Sequence, residues 1–462
     1  MTMLFQNSLR NLDSIFFRTN EREYTFGKVW AMIRHMRSFL STTVNSPYLL
    51  VDAEQDPLRV FVCLVSSFYL DKTVCVFAGS SACARFESIL NSLNYKFDSL
   101  PDRIPPDLSL QSDLVELEDN FSYPSGPKLV LLTSGSSGPQ KGVVHSCDSL
   151  AAAAKAANDF FDLDLGDNWL LSLGADRVGG LMILMRCFLA GASVSYGGGR
   201  KTIEKDLLAF KPSCISLVPT QLHDCLSSSS ATKILEKMKL ILVGGAGISE
   251  SDYVKAKRAN IRLTLSYGLS ETGAVCASLH RSTISRSHRD IGYPLPGWTF
   301  KLDHNNRLRI SGEGLFIGYL DETGLRRTEK KYFLTNDRIC ENENGTYQFV
   351  DRSDLVFQTG GNKVSPLAIE QVLDSAWNEN HLIVVGLDDH RLGKVPALVI
   401  SGLQRPKIKD LDFNCFNLLE PYARPRKVLW NNTDESKQKP NRHQIQQKAD
   451  AGRLEILWEN EY

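Results

Sequence analysis

The stretch best equipped for chemistry is residues 129–142, LVLLTSGSSGPQKG. Leu129, Val130, Leu131 and Leu132 read as a buried strand that ends in small hydroxyl and glycine residues. Across Thr133, Ser134, Gly135, Ser136, Ser137 and Gly138 the backbone can approach a polyphosphate closely. The hydroxyls and exposed N–H groups there can donate to its oxygens, and Lys141 adds a point charge of the right sign. On composition alone, the same residues also describe an ordinary Gly/Ser surface turn. Spacing excludes two other nucleotide loops. A Walker A loop would need Gly-Lys-Ser/Thr from the fifth position after Gly135, where Gln140, Lys141 and Gly142 stand. A dinucleotide frame starting at Gly245 would need a glycine at 250, where Glu250 stands.

Further blocks follow in order along the chain: SYGLSETG at 266–273, GEGLFIGYL at 312–320, LTNDRI at 334–339, DRSDLVFQTGGNKVSPLAIE at 351–370 and KQKPNRH at 437–443. Together with TSGSSGPQKG, they resemble the signatures of the adenylate-forming enzymes. This superfamily comprises acyl-CoA synthetases, luciferases and the adenylation domains of nonribosomal peptide synthetases. The resemblance implies ATP, Mg²⁺ and a thiol acceptor, with 133–138 as the phosphate loop. It implies that Tyr267 lies against the adenine, with Gly245 and Gly268 beside the nucleotide. Ser270 takes the position of the usual threonine near the α-phosphate, and Glu271 helps hold Mg²⁺ together with Thr133. A hard cation favours such oxygen ligands. Asp337 would hold the ribose hydroxyls and Arg352 would contact the ribose, while Asp354 would be a hinge. Gly360 and Gly361 would line the approach of the thiol. Lys439, three residues ahead of Arg442, would be the catalytic lysine, with Lys437 as the alternative and Lys141 assisting in the phosphate loop.

Several positions depart from the family pattern. Asn336 replaces a glycine, and asparagine is the residue that best tolerates a glycine-like backbone. Asp351 and Gln438 also stand where glycines are usual.

These residues need elements to position them. Residues 22–40 read as a short strand and then an amphipathic helix. YLLVDAE, a helix at 58–70, TVCVFAG and a helix from about Ala84 continue an α/β alternation with buried parallel strands. Residues 101–127 read as a long irregular connection, and a helix should run from Ser149 to Phe160. Residues 168–197 combine a strand, a turn and a helix ending near Gly191, and CISLVPTQL and LKLILVGGAG read as two further strands. Near 350 the composition turns polar, and a helix at 367–377 and the strands LIVVGL and PALVIS follow. The expected fold is therefore α/β. The resemblance implies a large adenylate-forming body over 1–351 and a small mobile α+β domain over 352–462, hinged near Asp354.

With 462 residues, the chain exceeds a single core. Lys+Arg and Asp+Glu both number 53, so no global field draws it to nucleic acid or membrane. The apolar run Val60–Leu70 is too short to span a bilayer, and the N-terminus has no secretory pattern. Ten cysteines without a CxxC pair point to reduced thiols and a cytoplasmic setting. A homo-oligomer stays open.

Within the superfamily the resemblance is to the 2-succinylbenzoate–CoA ligases of menaquinone and phylloquinone biosynthesis, carried by NWLLSL, SLVPTQL, VGGAGIS and DIGYPLPG. It implies a small carboxylate and CoA as partners. Gly174, Ala175, Asp176 and Arg177 replace the usual Pro-Leu-Phe-His. Arg177 and Arg186, costly to bury without an anion, are candidates to grip a second carboxylate, with Thr220 beside them. Three readings follow: a 2-succinylbenzoate–CoA ligase, a ligase for another acid or a carrier-protein thiol, and a nucleotide-binding homologue without turnover.

Overall fold

Three sheets carry the architecture. The computed structural model describes residues 5–54, 56–101, 125–133, 141–280, 287–328, 331–374, 381–402, 404–407, 411–432 and 442–459. Ser134, Gly135, Ser136, Ser137, Gly138, Lys437 and Lys439 therefore lie outside the described residues, as does most of the 101–127 connection.

The seven-stranded sheet holds Tyr48–Asp52, Thr73–Phe77 and Leu129–Leu132 in parallel. Leu129–Leu132 then pairs antiparallel with Gly142–His145, in the register Leu129↔His145 to Leu132↔Gly142. The phosphate-loop residues thus connect the two arms of a hairpin. Helix Pro57–Phe68 covers this sheet and is buried all round. Asp56 caps it by accepting from the Leu58 and Arg59 N–H groups, with Pro57 in the first turn. Helix Cys147–Phe161 begins at a reciprocal Ser146/Ser149 capping box, two residues earlier than the alanine run suggests.

The thirteen-stranded sheet is parallel through Ser193–Ser195, Asn168–Leu170, Cys214–Leu217, Leu240–Val243 and Leu263–Leu269. It then turns antiparallel at Ala274–Ser278. Only Ser270–Gly273 separates those last two strands, whereas a parallel crossover needs a dozen or more residues. The parallel expectation therefore ends at Leu269, and the strands at 290–294, 298–302, 307–312, 333–341 and 347–352 extend the sheet as antiparallel neighbours. CISLVPTQL is strand only as far as Leu217. Pro219 opens helix Pro219–Ser227, and the Gln221 carboxamide accepts from the Val218 N–H at 3.0 Å. Thr220 consequently sits on a helical first turn.

The third sheet, with strands from Phe357–Thr359 to Glu455–Glu459, draws only on residues after 356. Its two apolar clusters are likewise built from residues 357 onward. All ten cysteines are free thiols. Among the described residues, no helix is long and apolar enough to cross a membrane.

Candidate active site

Because strands 168–170, 214–217, 240–243 and 263–269 are parallel neighbours, their carboxyl ends share one edge, about 4.8 Å apart. Arg177, Thr220, Gly245 and Tyr267–Glu271 all follow from that edge, where ligands of open α/β sheets bind. The Gly244 N–H donates to the Leu217 carbonyl and ties two strand ends together. Gly245 follows in the left-handed region at φ +80°, which disfavours any residue with a Cβ. Gly268 sits at a bulge, where a Cβ would lie 1.8 Å from the Ala274 carbonyl oxygen. Only glycine lets these two strands close.

Tyr267 and Asp337 meet across the sheet, with the phenol donating to Asp337 Oδ2 at 2.6 Å. Arg352 pairs directly with Asp337 in the strand register and brings Nη1 to 3.2 Å from Oδ1. Burial raises the Asp337 pKa, while Arg352 and the Tyr267 hydrogen bond oppose it. Asp337 Oδ1 is buried and has no hydrogen-bond partner among the described residues, although Arg352 lies within ion-pair distance. An orphaned acceptor on a buried carboxylate costs free energy unless a donor arrives. Arg352 also forks onto Asp354, with Nε to Oδ1 at 3.0 Å and Nη2 to Oδ2 at 2.9 Å. One guanidinium therefore joins the expected ribose ligand to the expected hinge. Asn336 is not in a positive-φ conformation. It is an ordinary strand residue, so the missing glycine costs the backbone nothing.

Glu271 stands on a 3-10 turn, Ser270–Thr272. Its main-chain oxygen accepts from the Phe316 N–H at 2.9 Å and its Oε1 accepts from the Tyr319 hydroxyl at 2.6 Å. Burial raises its pKa, and the charges of Asp337 and Arg352 reach it. Thr133 closes the mouth of the phosphate-loop hairpin, its N–H donating to the Lys141 carbonyl at 3.0 Å. The structure thus gathers Thr133, Lys141, Tyr267, Gly268, Ser270, Glu271, Asp337 and Arg352 from four separate blocks. Gly360 and Gly361 form the turn of a hairpin on the third sheet, at φ +55° and +84°.

The two arginines of the expected acyl region differ. Arg177 caps helix Val178–Ala190 with a 61% exposed side chain, paired with Asp176 at 3.1 Å. Arg186, on the same helix, is 3% exposed. Its Nε donates to the Met182 carbonyl at 3.1 Å, and its guanidinium lies 4.5 Å from the Trp169 ring centroid. No carboxylate pairs with it among the described residues, and burial lowers its pKa to about 10.

Sequence reasoning passed over His145, a polar residue in the apolar run VVHS. It is fully buried, with Nε2 2.7 Å from the Ser270 carbonyl and Nδ1 3.1 Å from the Ser149 hydroxyl. A carbonyl can only accept, so Nε2 carries the proton. Burial holds the His145 pKa down at about 4, against 6.5 for a free histidine. The unfolded chain takes up this proton from about pH 6.5 downward, whereas the folded protein resists until about pH 4. Stability fully present above 6.5 is therefore lost through that window, on the order of 3 kcal/mol. Denaturant titrations between pH 7 and 4 should show this loss in the native protein. It should shrink in His145→Asn, and an unchanged slope would contradict the assignment.

The family model described as AMP-binding enzyme matches residues 86–320, just over half of the chain. The chain belongs to the AMP-binding enzyme family. Among curated relatives, the probable 2-succinylbenzoate–CoA ligase of Mycobacterium tuberculosis (strain CDC 1551 / Oshkosh) is 29% identical over 313 residues, which is 65% of this chain and 78% of that protein. The 2-succinylbenzoate–CoA ligase of Escherichia coli (strain K12) is 29% identical over 321 residues, 68% of each. The solved structure of o-succinylbenzoate CoA synthetase from Bacillus subtilis, in complex with its acyl-adenylate intermediate, superposes with a TM-score of 0.78 at 17% identity. It covers 96% of this chain and 97% of that one, so the adenylate-forming fold extends over nearly the whole molecule.

Proposed function

We propose that this protein is an AMP-forming acid–thiol ligase that adenylates 2-succinylbenzoate with Mg-ATP and passes the acyl group to CoA. The observation that carries the nucleotide reading is Asp337, a buried carboxylate with one oxygen lacking a hydrogen bond, beside Arg352 and Tyr267. Vicinal ribose hydroxyls are donors of the kind that oxygen lacks. The relatives' substrate and the buried guanidinium of Arg186 together support the choice of acid. 2-Succinylbenzoate is a dianion, with one carboxylate activated and one retained, and the retained one would satisfy Arg186. Arg177 and Thr220 would stand at the same edge.

The reaction makes two demands. A carboxylate oxygen bonds to the α-phosphorus of ATP while the bond to pyrophosphate breaks. The thiol of CoA then displaces AMP from the acyl carbon. Charge on the phosphoryl oxygens must be neutralised and the reactants held in line. The phosphate loop and Lys141 would receive the β- and γ-phosphates, and Ser270 would face the α-phosphate. Lys439 would complete the site from the tail. Mg²⁺, when bound, would neutralise phosphate charge beside Glu271 and Thr133. Among the described residues no cluster of three or more His, Cys, Asp or Glu stands ready for a metal. The cation's remaining oxygen ligands would thus come from nucleotide and water. The chain would divide at Asp351–Asp354, with Asp354 as hinge. The exclusive membership of the third sheet and its cores from 357 onward favours that division. Gly360 and Gly361 would then line the thiol's path when the tail turns.

The test is pyrophosphate release from Mg-ATP with 2-succinylbenzoate, with and without CoA, against a panel of benzoates and fatty acids. Selective turnover completed only with CoA is the expected result. Release with a different acid would keep the mechanism and discard the substrate. Silence with every acid would leave a nucleotide-binding homologue. In the same assay Arg186→Gln should raise KM for the dianionic acid about tenfold or more, and much less for benzoate, because one charged hydrogen bond is lost. Equal effects on both acids would remove Arg186 from acid recognition.

A further inference from the structure

Tyr319 touches both of the opposite charges of the proposed phosphate site. Its strand, Gly318–Asp321, pairs antiparallel with the return arm of the phosphate-loop hairpin, Tyr319 opposite Val143. From there the hydroxyl donates to Glu271 Oε1 at 2.6 Å, and Lys141 Nζ lies 5.8 Å from the ring centroid. Phe316, from the same block, donates its N–H to the Glu271 carbonyl and packs edge-on against the Tyr319 ring at 4.8 Å. The ring is therefore clamped by a neighbour, and its hydroxyl has a defined target. No ion pair joins Lys141 or Glu271 to another described residue. A lysine and a glutamate that meet the same side chain would attract each other strongly in such a partly desolvated place. With a smaller residue at 319, the long lysine side chain could swing across and neutralise the carboxylate.

We propose that Tyr319 is a positioning residue, its ring keeping Lys141 and Glu271 from collapsing into an ion pair and its hydroxyl aiming the Glu271 carboxylate. This inference rests on the reading of Lys141 as a phosphate ligand and Glu271 as the magnesium carboxylate. It adds a separate part: the two charges stay available because a cation–π contact and a phenolic hydrogen bond replace their mutual pairing. The block GEGLFIGYL thereby acquires a function that its glycine pattern does not suggest.

The two halves of the proposal separate in binding measurements on the full chain. ATP affinity is read by calorimetry with and without Mg²⁺, for the native protein, Tyr319→Phe, Tyr319→Leu, Glu271→Gln and the Tyr319→Leu/Glu271→Gln double variant. Tyr319→Phe keeps the ring and should leave metal-free ATP affinity within about twofold. It should raise the Mg²⁺ needed for half-maximal binding roughly tenfold, through loss of one hydrogen bond to a charged group. Tyr319→Leu should in addition weaken metal-free ATP binding roughly tenfold, as Lys141 turns to Glu271. Adding Glu271→Gln should restore that loss, which no general damage to the fold would do. Metal-free binding by Tyr319→Leu equal to that of the native protein, or no recovery in the double variant, overturns the proposal. If Glu271→Gln alone leaves the Mg²⁺ dependence unchanged, the reading of Glu271 is what fails, and the proposal falls with it.

Discussion

Asp337→Ala should lower kcat/KM for ATP by roughly 10²–10⁴-fold and remove the preference for ATP over 3′-deoxy-ATP. The magnitude follows from two hydrogen bonds to a charged acceptor, each worth about 1.5–3 kcal/mol in a buried setting. Geometry supports it further, because Oδ2 is occupied by Tyr267 while Oδ1 has no hydrogen-bond donor among the described residues. The fold should tolerate the change better than most losses of a buried acid. Arg352 would keep its bidentate contact with Asp354, so no unpaired cation would be left behind. Steady-state kinetics with both nucleotides, alongside a thermal melt, would decide. An alanine variant that still discriminates against the deoxynucleotide would remove Asp337 from ribose recognition.

Glu370→Ala should destabilise the C-terminal region by about 3 kcal/mol and impair adenylation more than thioester formation. Glu370 and Arg442 form a bidentate pair, Oε1 to Nη1 at 2.6 Å and Oε2 to Nη2 at 2.7 Å. Their side chains are only 15% and 20% exposed. Arg442 Nη1 also donates to the Val384 carbonyl at 2.7 Å, and Glu370 Oε1 accepts from the Val384 N–H at 2.6 Å. Removing the carboxylate would strand a largely buried guanidinium, the costly way to break such a pair. Arg442 lies three residues after Lys439, so the pair anchors the chain that carries the proposed catalytic lysine. Urea unfolding would give the stability term. ATP–pyrophosphate exchange, compared with CoA transfer from isolated acyl-adenylate, would give the functional one. Equal losses in both half-reactions would mean that the anchor serves the fold alone.

Much of the site was legible because its chemistry is written locally. The loop 133–142, Tyr267–Glu271 and Asp337 lie in short blocks whose residue types and order are visible in one dimension. The strands that carry them, such as Leu129–Leu132 and Leu240–Val243, are unbroken apolar runs. Other features depend on connection geometry. The hairpin at the phosphate loop and the antiparallel turn after Leu269 follow from short links that forbid a crossover. Pro219 ends a strand that hydropathy alone would continue.

The sequence by itself determined the family, the order of the blocks and the side chains able to meet a nucleotide, because these depend on residue type and spacing. Only the tertiary structure decided which groups touch. It set Arg352 between Asp337 and Asp354 and put His145 under Ser270. It brought Tyr319 against both Lys141 and Glu271, and it buried Arg186 while leaving Arg177 at the surface. Most of these contacts join residues far apart in the chain, and their energy comes from burial and pairing that no local pattern encodes.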